Sequence, residues 1–82
     1  TKNGGYSITV SSSIYKGALK NFISIVSSEA NIEGLLTLDD EKRLFRRLVV
    51  TLSKRDMDDN KLEHLKHKLE KSGFRVIYVQ SL

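Results

Sequence analysis

The 82-residue chain is predicted to fold as one α+β domain, a four-stranded antiparallel sheet with two helices on one face, in the order β-α-β-β-α-β. Three observations carry this. Apolar and polar residues alternate in "YSITV" and in "FRVIYV", the period of a half-buried strand. The run "NKLEHLKHKLEKSG" places leucines at helical spacing and ends in glycine. The front half, a strand followed by a helix and a short apolar run, is mirrored behind it by "LVVTL", a helix and a last strand.

The elements follow in order. "TKNGG", residues 1–5, is polar with two glycines and is expected to be a flexible lead-in, leaving 6–82 as the folded domain. Tyr6, Ile8 and Val10 alternate with Ser7, Thr9 and Ser11, so the first strand has one apolar face. A helix is expected next, capped by Ser12 or Ser13, with Ile14, Ala18, Phe22 and Val26 recurring at helical spacing. "IEGLLTL" reads as the second strand, and "DDEKR" as the turn after it. In the last helix, Asn60 and Glu63 have capping-box spacing, and Asp58 and Asp59 favour the positive N-terminal pole. Leu62, Leu65 and Leu69 form its buried stripe.

"LVVTLSKRD", residues 48–56, admits two readings. As a helix begun at Thr37, it gathers Leu44, Phe45, Leu48, Val49 and Leu52 on one face, giving a β-α-α-α-β chain with residues 38–53 helical. As a strand, it points Leu48, Val50 and Leu52 one way and Val49, Thr51 and Ser53 the other. β-branched residues lose rotamer freedom in helices and pack well on pleated sheets, and the flanking elements complete a βαβ unit, so the strand reading is preferred. The resulting order resembles the ferredoxin-like split βαβ sandwich. That likeness is one of element order over most of the chain; it brings no functional residue with it. It implies an inner face of Tyr6, Ile8, Val10, Leu48, Val50 and Leu52. The outer face is then Ser7, Thr9, Arg47, Val49, Thr51, Arg75, Ile77 and Val79, unless the last strand has the opposite parity and turns Phe74, Val76 and Tyr78 outward.

Composition narrows the function classes. Hydrophobic residues make up 39% and charged residues 29%, the balance of a packed domain rather than a disordered tail. No apolar run approaches the roughly 18 residues of a membrane span. With no cysteine, the chain has no disulfide, thiolate nucleophile or Cys-zinc site, and a reducing, cytoplasmic setting is expected. Net charge is +4, and the excess sits in residues 61–82, where Lys61, Lys66, Lys68, Lys71 and Arg75 outnumber Glu63 and Glu70.

Most chemical constellations fail on spacing. His64 and His67 share a helical face but stand outside any His-Glu-x-x-His or Glu-x-x-His context, and a bound zinc needs three or four ligands. Asp56, Asp58 and Asn60 match the first ligands of a calcium loop, but Lys61 replaces the required glycine and His67 the bidentate glutamate. Ser11, Ser12 and Ser13 precede a helix without the glycine-rich loop that cradles phosphate. Asp39 and Asp40 lie among Lys42, Arg43, Arg46 and Arg47, which favours local ion pairing. The reading is therefore of a small non-catalytic binding module without cofactor or metal.

Two surfaces are candidates. Lys61, His64, Lys68 and Lys71, spaced 3, 4 and 3, share the helix face opposite the leucines. With Arg75 and the second basic group of Arg43, Arg46 and Arg47, they are expected to contact the phosphates of DNA or RNA. The alternative is a protein-interaction or dimerisation surface made of outward Val49, Ile77 and Val79, or of an exposed strand edge.

Overall fold

The structure, a computed structural model, describes residues 4–39, 42, 44–55 and 57–82. The element order is β1 (Tyr6–Ser13), α1 (Ala18–Ser27), β2 (Ile32–Asp39), β3 (Phe45–Leu52), α2 (Asp59–Lys71) and β4 (Arg75–Ser81). The strands form one antiparallel sheet in the order β2-β3-β1-β4, the ferredoxin-like arrangement. The helical alternative for 38–53 is overturned: β3 is extended and paired along its whole length, Tyr6 opposite Leu52 through Ser13 opposite Phe45.

Burial follows the alternation in β1 and β3. Ile8, Val10, Leu48, Val50 and Leu52 are wholly buried under the helices. Phe22 and Val26 of α1 and Leu65 and Leu69 of α2 complete the core, and the rings of Phe22 and Phe74 meet at 5.6 Å, tilted by 59°. Tilted aromatic pairs at this separation add to plain area burial. Within the single helical layer, a residue in α1 thus meets one just past the end of α2.

Three local expectations are corrected. Ser12 and Ser13 do not cap α1. They extend β1, and the hydroxyl of Ser12 donates to the Ser13 carbonyl at 2.9 Å. The helix begins four residues later, after Gly17 at φ 87°, with no side-chain cap; Ile14 lies outside it and is exposed. The reason is pairing: each serine finds a partner across β3, which offers more backbone hydrogen bonds than an early helical turn. At α2, the cap is Asp58 rather than Asn60; its carboxylate accepts from the Lys61 amide at 2.8 Å. The end of α2 is as expected. Gly73, at φ 92°, lets the Phe74 amide reach back to the Leu69 carbonyl at 2.9 Å and its own amide to Glu70 at 3.2 Å, a Schellman closure.

β4 follows neither parity foreseen for it. Val79 lies opposite Ile8 and Val76 opposite Val10, so both face the helices. Between them the register slips at Thr9/Val10, and the strand holds one residue more than its partner. A bulge of this kind turns adjacent side chains to the same side. Ile77 and Tyr78 are thus both exposed, while Val79, expected outside, packs against the core.

Candidate functional site

The side of the sheet away from the helices is open, and its make-up follows from register, because directly opposite residues point to the same face. Across the order β2-β3-β1-β4 it reads as rows. At one end Phe45 lies opposite Ser13. Next comes the row Leu38, Arg47, Ser11, Arg75. Then follow Leu36, Val49, Thr9 and Tyr78, with Ile77 beside Tyr78, and finally Gly34, Thr51, Ser7 and Gln80. Antiparallel sheets with one wet face ordinarily fill it with polar side chains. Here Leu36, Leu38, Phe45 and Tyr78 are each more than half exposed, at 54%, 51%, 55% and 54%, with Ile77 close behind. Val49 is half-buried between them.

The basic helix face is built differently from the expected phosphate track. Lys61, His64 and Lys71 are exposed on α2. Lys68, the centre of the stripe, is instead engaged: its ammonium donates to Glu29 Oε2 at 2.9 Å and to Ser28 Oγ at 3.2 Å. His64 Nε2 stands 3.9 Å from the same carboxylate. The hydrogen bond from Lys68 holds the Glu29 carboxyl below its ordinary range, against the opposing effect of burial, and the charges of Lys68, His64 and Lys61 add to it. An acid from the end of α1 therefore sits against the middle of the stripe and offsets part of its charge. Glu29 lies 39 residues from Lys68 in sequence, and no local pattern announces the contact.

The other described basic residues of the prediction, Arg46, Arg47 and Arg75, belong to strands rather than to α2. Arg46 faces the helix side of β3 and grips Asp39 of β2 through two hydrogen bonds, 2.8 and 3.4 Å. Arg47 and Arg75 lie on the open face. Arg43 lies outside the described residues, as do Asp40 and Asp56. Among the described residues, no cluster of three or more His, Asp or Glu side chains is placed to hold a metal ion. No described helix is long and apolar enough to cross a membrane.

The Glu29 contact carries a pH signature. A carboxyl whose folded pKa is depressed contributes stability that is present above its unfolded pKa, here the ordinary 4.5, and lost as pH falls through the lower folded value. Glu29→Gln is expected to be less stable than the native chain by about 1 kcal/mol or less at pH 7, since the pair is partly solvated. That difference shrinks toward zero on acidification below the ordinary carboxylate range. Urea melts of both proteins at pH 7 and pH 3 check it; a pH-independent gap would show that the ion pair is not its source.

No family model matches the chain, and no curated protein matches it. Solved structures do. The ACT domain from GTP pyrophosphokinase of Chlorobium tepidum superimposes with a TM-score of 0.65 at 20% identity, over 95% of this chain and 96% of that one. The C-terminal domain of the MgtC protein from Mycobacterium tuberculosis gives a TM-score of 0.68 at 18% identity, over 96% of this chain and 85% of that one. At such identity the likeness shows a shared fold.

Proposed function

We propose that this chain is a non-catalytic protein-interaction module that takes its partner on the open face of the sheet. One observation carries the reading: Leu36, Leu38, Phe45, Val49, Ile77 and Tyr78 share a face that the helices leave uncovered. Contiguous exposed apolar surface of this kind is uncommon on monomers and marks interaction sites. The similar solved domains support it indirectly, because both are pieces of named larger proteins, a setting in which a small domain serves the rest of the chain. The non-catalytic reading is supported by the one close acid–histidine approach among the described residues: His64 is well exposed, and its Glu29 neighbour is already held by Lys68.

The rival is phosphate contact through α2, which retains exposed Lys61, His64 and Lys71. The two readings separate in one experiment. The chain is immobilised and challenged with a phage-displayed library of random dodecapeptides and, separately, with single- and double-stranded oligonucleotides across a salt titration. Selected peptides are expected to lose binding to Leu36→Ser/Ile77→Ser and to keep binding to Lys61→Gln/Lys71→Gln. Both pairs are exposed, so the circular dichroism of the folded chain should persist in each. Oligonucleotide retention that falls steeply with salt and disappears in Lys61→Gln/Lys71→Gln would overturn the reading in favour of the helix face.

A further inference from the structure

We infer that the partner of the open face is an acidic peptide segment, its carboxylates seated on Arg47 and Arg75 to either side of Ser11. This rests on the reading above and adds the chemistry of the partner to it.

The register creates the arrangement. Ser11 of the inner strand β1 lies opposite Arg47 of β3 on one side and Arg75 of β4 on the other. Two interstrand spacings of about 4.8 Å put the arginine backbones roughly 10 Å apart with a hydroxyl between them. Three shallow depressions converge there. One of about 220 Å³ is lined by Ser11, Leu38, Phe45, Arg46, Arg47 and Asp39. A second of about 330 Å³ lies among Ser11, Ser13, Phe45, Gly73 and Arg75, and a third of about 310 Å³ among Ser11, Arg75, Val76 and Ile77.

Charge balance then selects the occupant. Arg46, one residue before Arg47 and on the opposite face, is bidentate to Asp39, so that carboxylate, though it borders the first depression, is already committed. Arg47 and Arg75 have no ion-pair partner among the described residues. No described acidic residue stands in the rows that hold them; Glu70, which borders a depression with Gly73, Phe74 and Arg75, makes no ion pair with Arg75, and Glu33 is at the register slip near the far end of β2. The two arginines share the open face with the apolar side chains. A partner that covers Leu36, Leu38 and Ile77 therefore desolvates two guanidinium groups, and an uncompensated buried charge is strongly unfavourable. Carboxylates remove that cost, and the planar guanidinium pairs with them bidentately.

The same charge balance disfavours the other occupants. A second copy stacked face to face brings four arginines together with no described acid in those rows to meet them. Single-stranded nucleic acid supplies anions, but its bases stack on aromatic rings, and here four aliphatic residues, Leu36, Leu38, Val49 and Ile77, outnumber Phe45 and Tyr78. An amphipathic acidic peptide satisfies both components of the surface.

The test extends the dodecapeptide selection to Arg47→Gln/Arg75→Gln, with both positions exposed and folding verified by circular dichroism. Peptides enriched in Asp and Glu, weakened about tenfold or more by Arg47→Gln/Arg75→Gln and weakened by added salt, are the expected result. Peptides without acidic enrichment that respond to Leu36→Ser/Ile77→Ser but not to the arginine pair would overturn this inference and leave the open-face reading standing. Peptides indifferent to both pairs, or no selection at all, would overturn both. Sedimentation showing an arginine-insensitive dimer that buries the face, or retention of a single-stranded oligonucleotide that depends on Arg47 and Arg75, would overturn the choice of partner.

Discussion

Phe22→Ala is expected to remove a large share of the chain's stability at 25 °C. Phe22 is fully buried at the middle of α1, in contact with Phe74 at 5.6 Å. Truncating a buried phenylalanine removes its transfer free energy and leaves a cavity, together about 3–5 kcal/mol. A domain of this length holds roughly 4–12 kcal/mol in all. The loss is therefore a large share of the total, and with a urea slope of about 1 kcal/mol/M the midpoint should fall by roughly 3 M or more. Phe22→Leu keeps most of the volume and should lose less than half as much. Equal midpoints for the native chain and Phe22→Ala would mean that α1 does not seal the core as described.

The second large effect is a contrast between neighbours. Val50 is wholly buried on β3, between β1 and β2, whereas Val49 is half-buried on the opposite face. Val50→Asp places a carboxylate among Ile8, Leu48 and Leu52 without a partner, a cost of several kcal/mol that such a small domain does not absorb. Val49→Asp points beside Thr9 and Leu36 toward solvent, and should cost about 1 kcal/mol or less. A helix over 38–53 would reverse the order, because its buried face holds Val49 and leaves Val50 outside. Circular dichroism melts of the two variants distinguish a strand from a helix.

Much of this fold is written in short-range pattern. The alternation in 6–10 and 48–52 specified both inner strands and their buried sides, and the stripe Leu62, Leu65, Leu69 specified α2. What the pattern does not contain is competition between alternatives. Ser12 and Ser13 are good helix caps and acceptable strand residues, and pairing with Arg46 and Phe45 of β3 decides between them. Asp58 and Asn60 are both competent caps, and the actual start of the first turn selects Asp58. The slip between Thr9 and Val10 is a tertiary adjustment, so a strictly alternating reading of β4 must fail beyond it and assign Val79 to the wrong face.

The candidate surface was legible in part for the same reason. Val49 and Ile77 followed from alternation, but Leu36 and Leu38 needed the place of β2 at the sheet edge, and Tyr78 needed the bulge. Phe45 needed β3 to begin three residues before its densest β-branched run, LVVTL. The basic residues were visible as a group from composition alone. Their division was not: Lys68 turned to Glu29, Arg46 to Asp39, and Arg47 and Arg75 to either side of Ser11 are consequences of pairing between distant segments.

The open face is the centre of the account, and amide chemical-shift mapping addresses it most directly. The isotope-labelled chain is titrated with an acidic dodecapeptide taken from the selection. Shifts concentrated on 34–38, 45–51 and 75–78, and sparse on α1 and α2, are the predicted result. Shifts concentrated on α2, around Lys61, His64 and Lys71, with β2 and β3 unmoved, would contradict it.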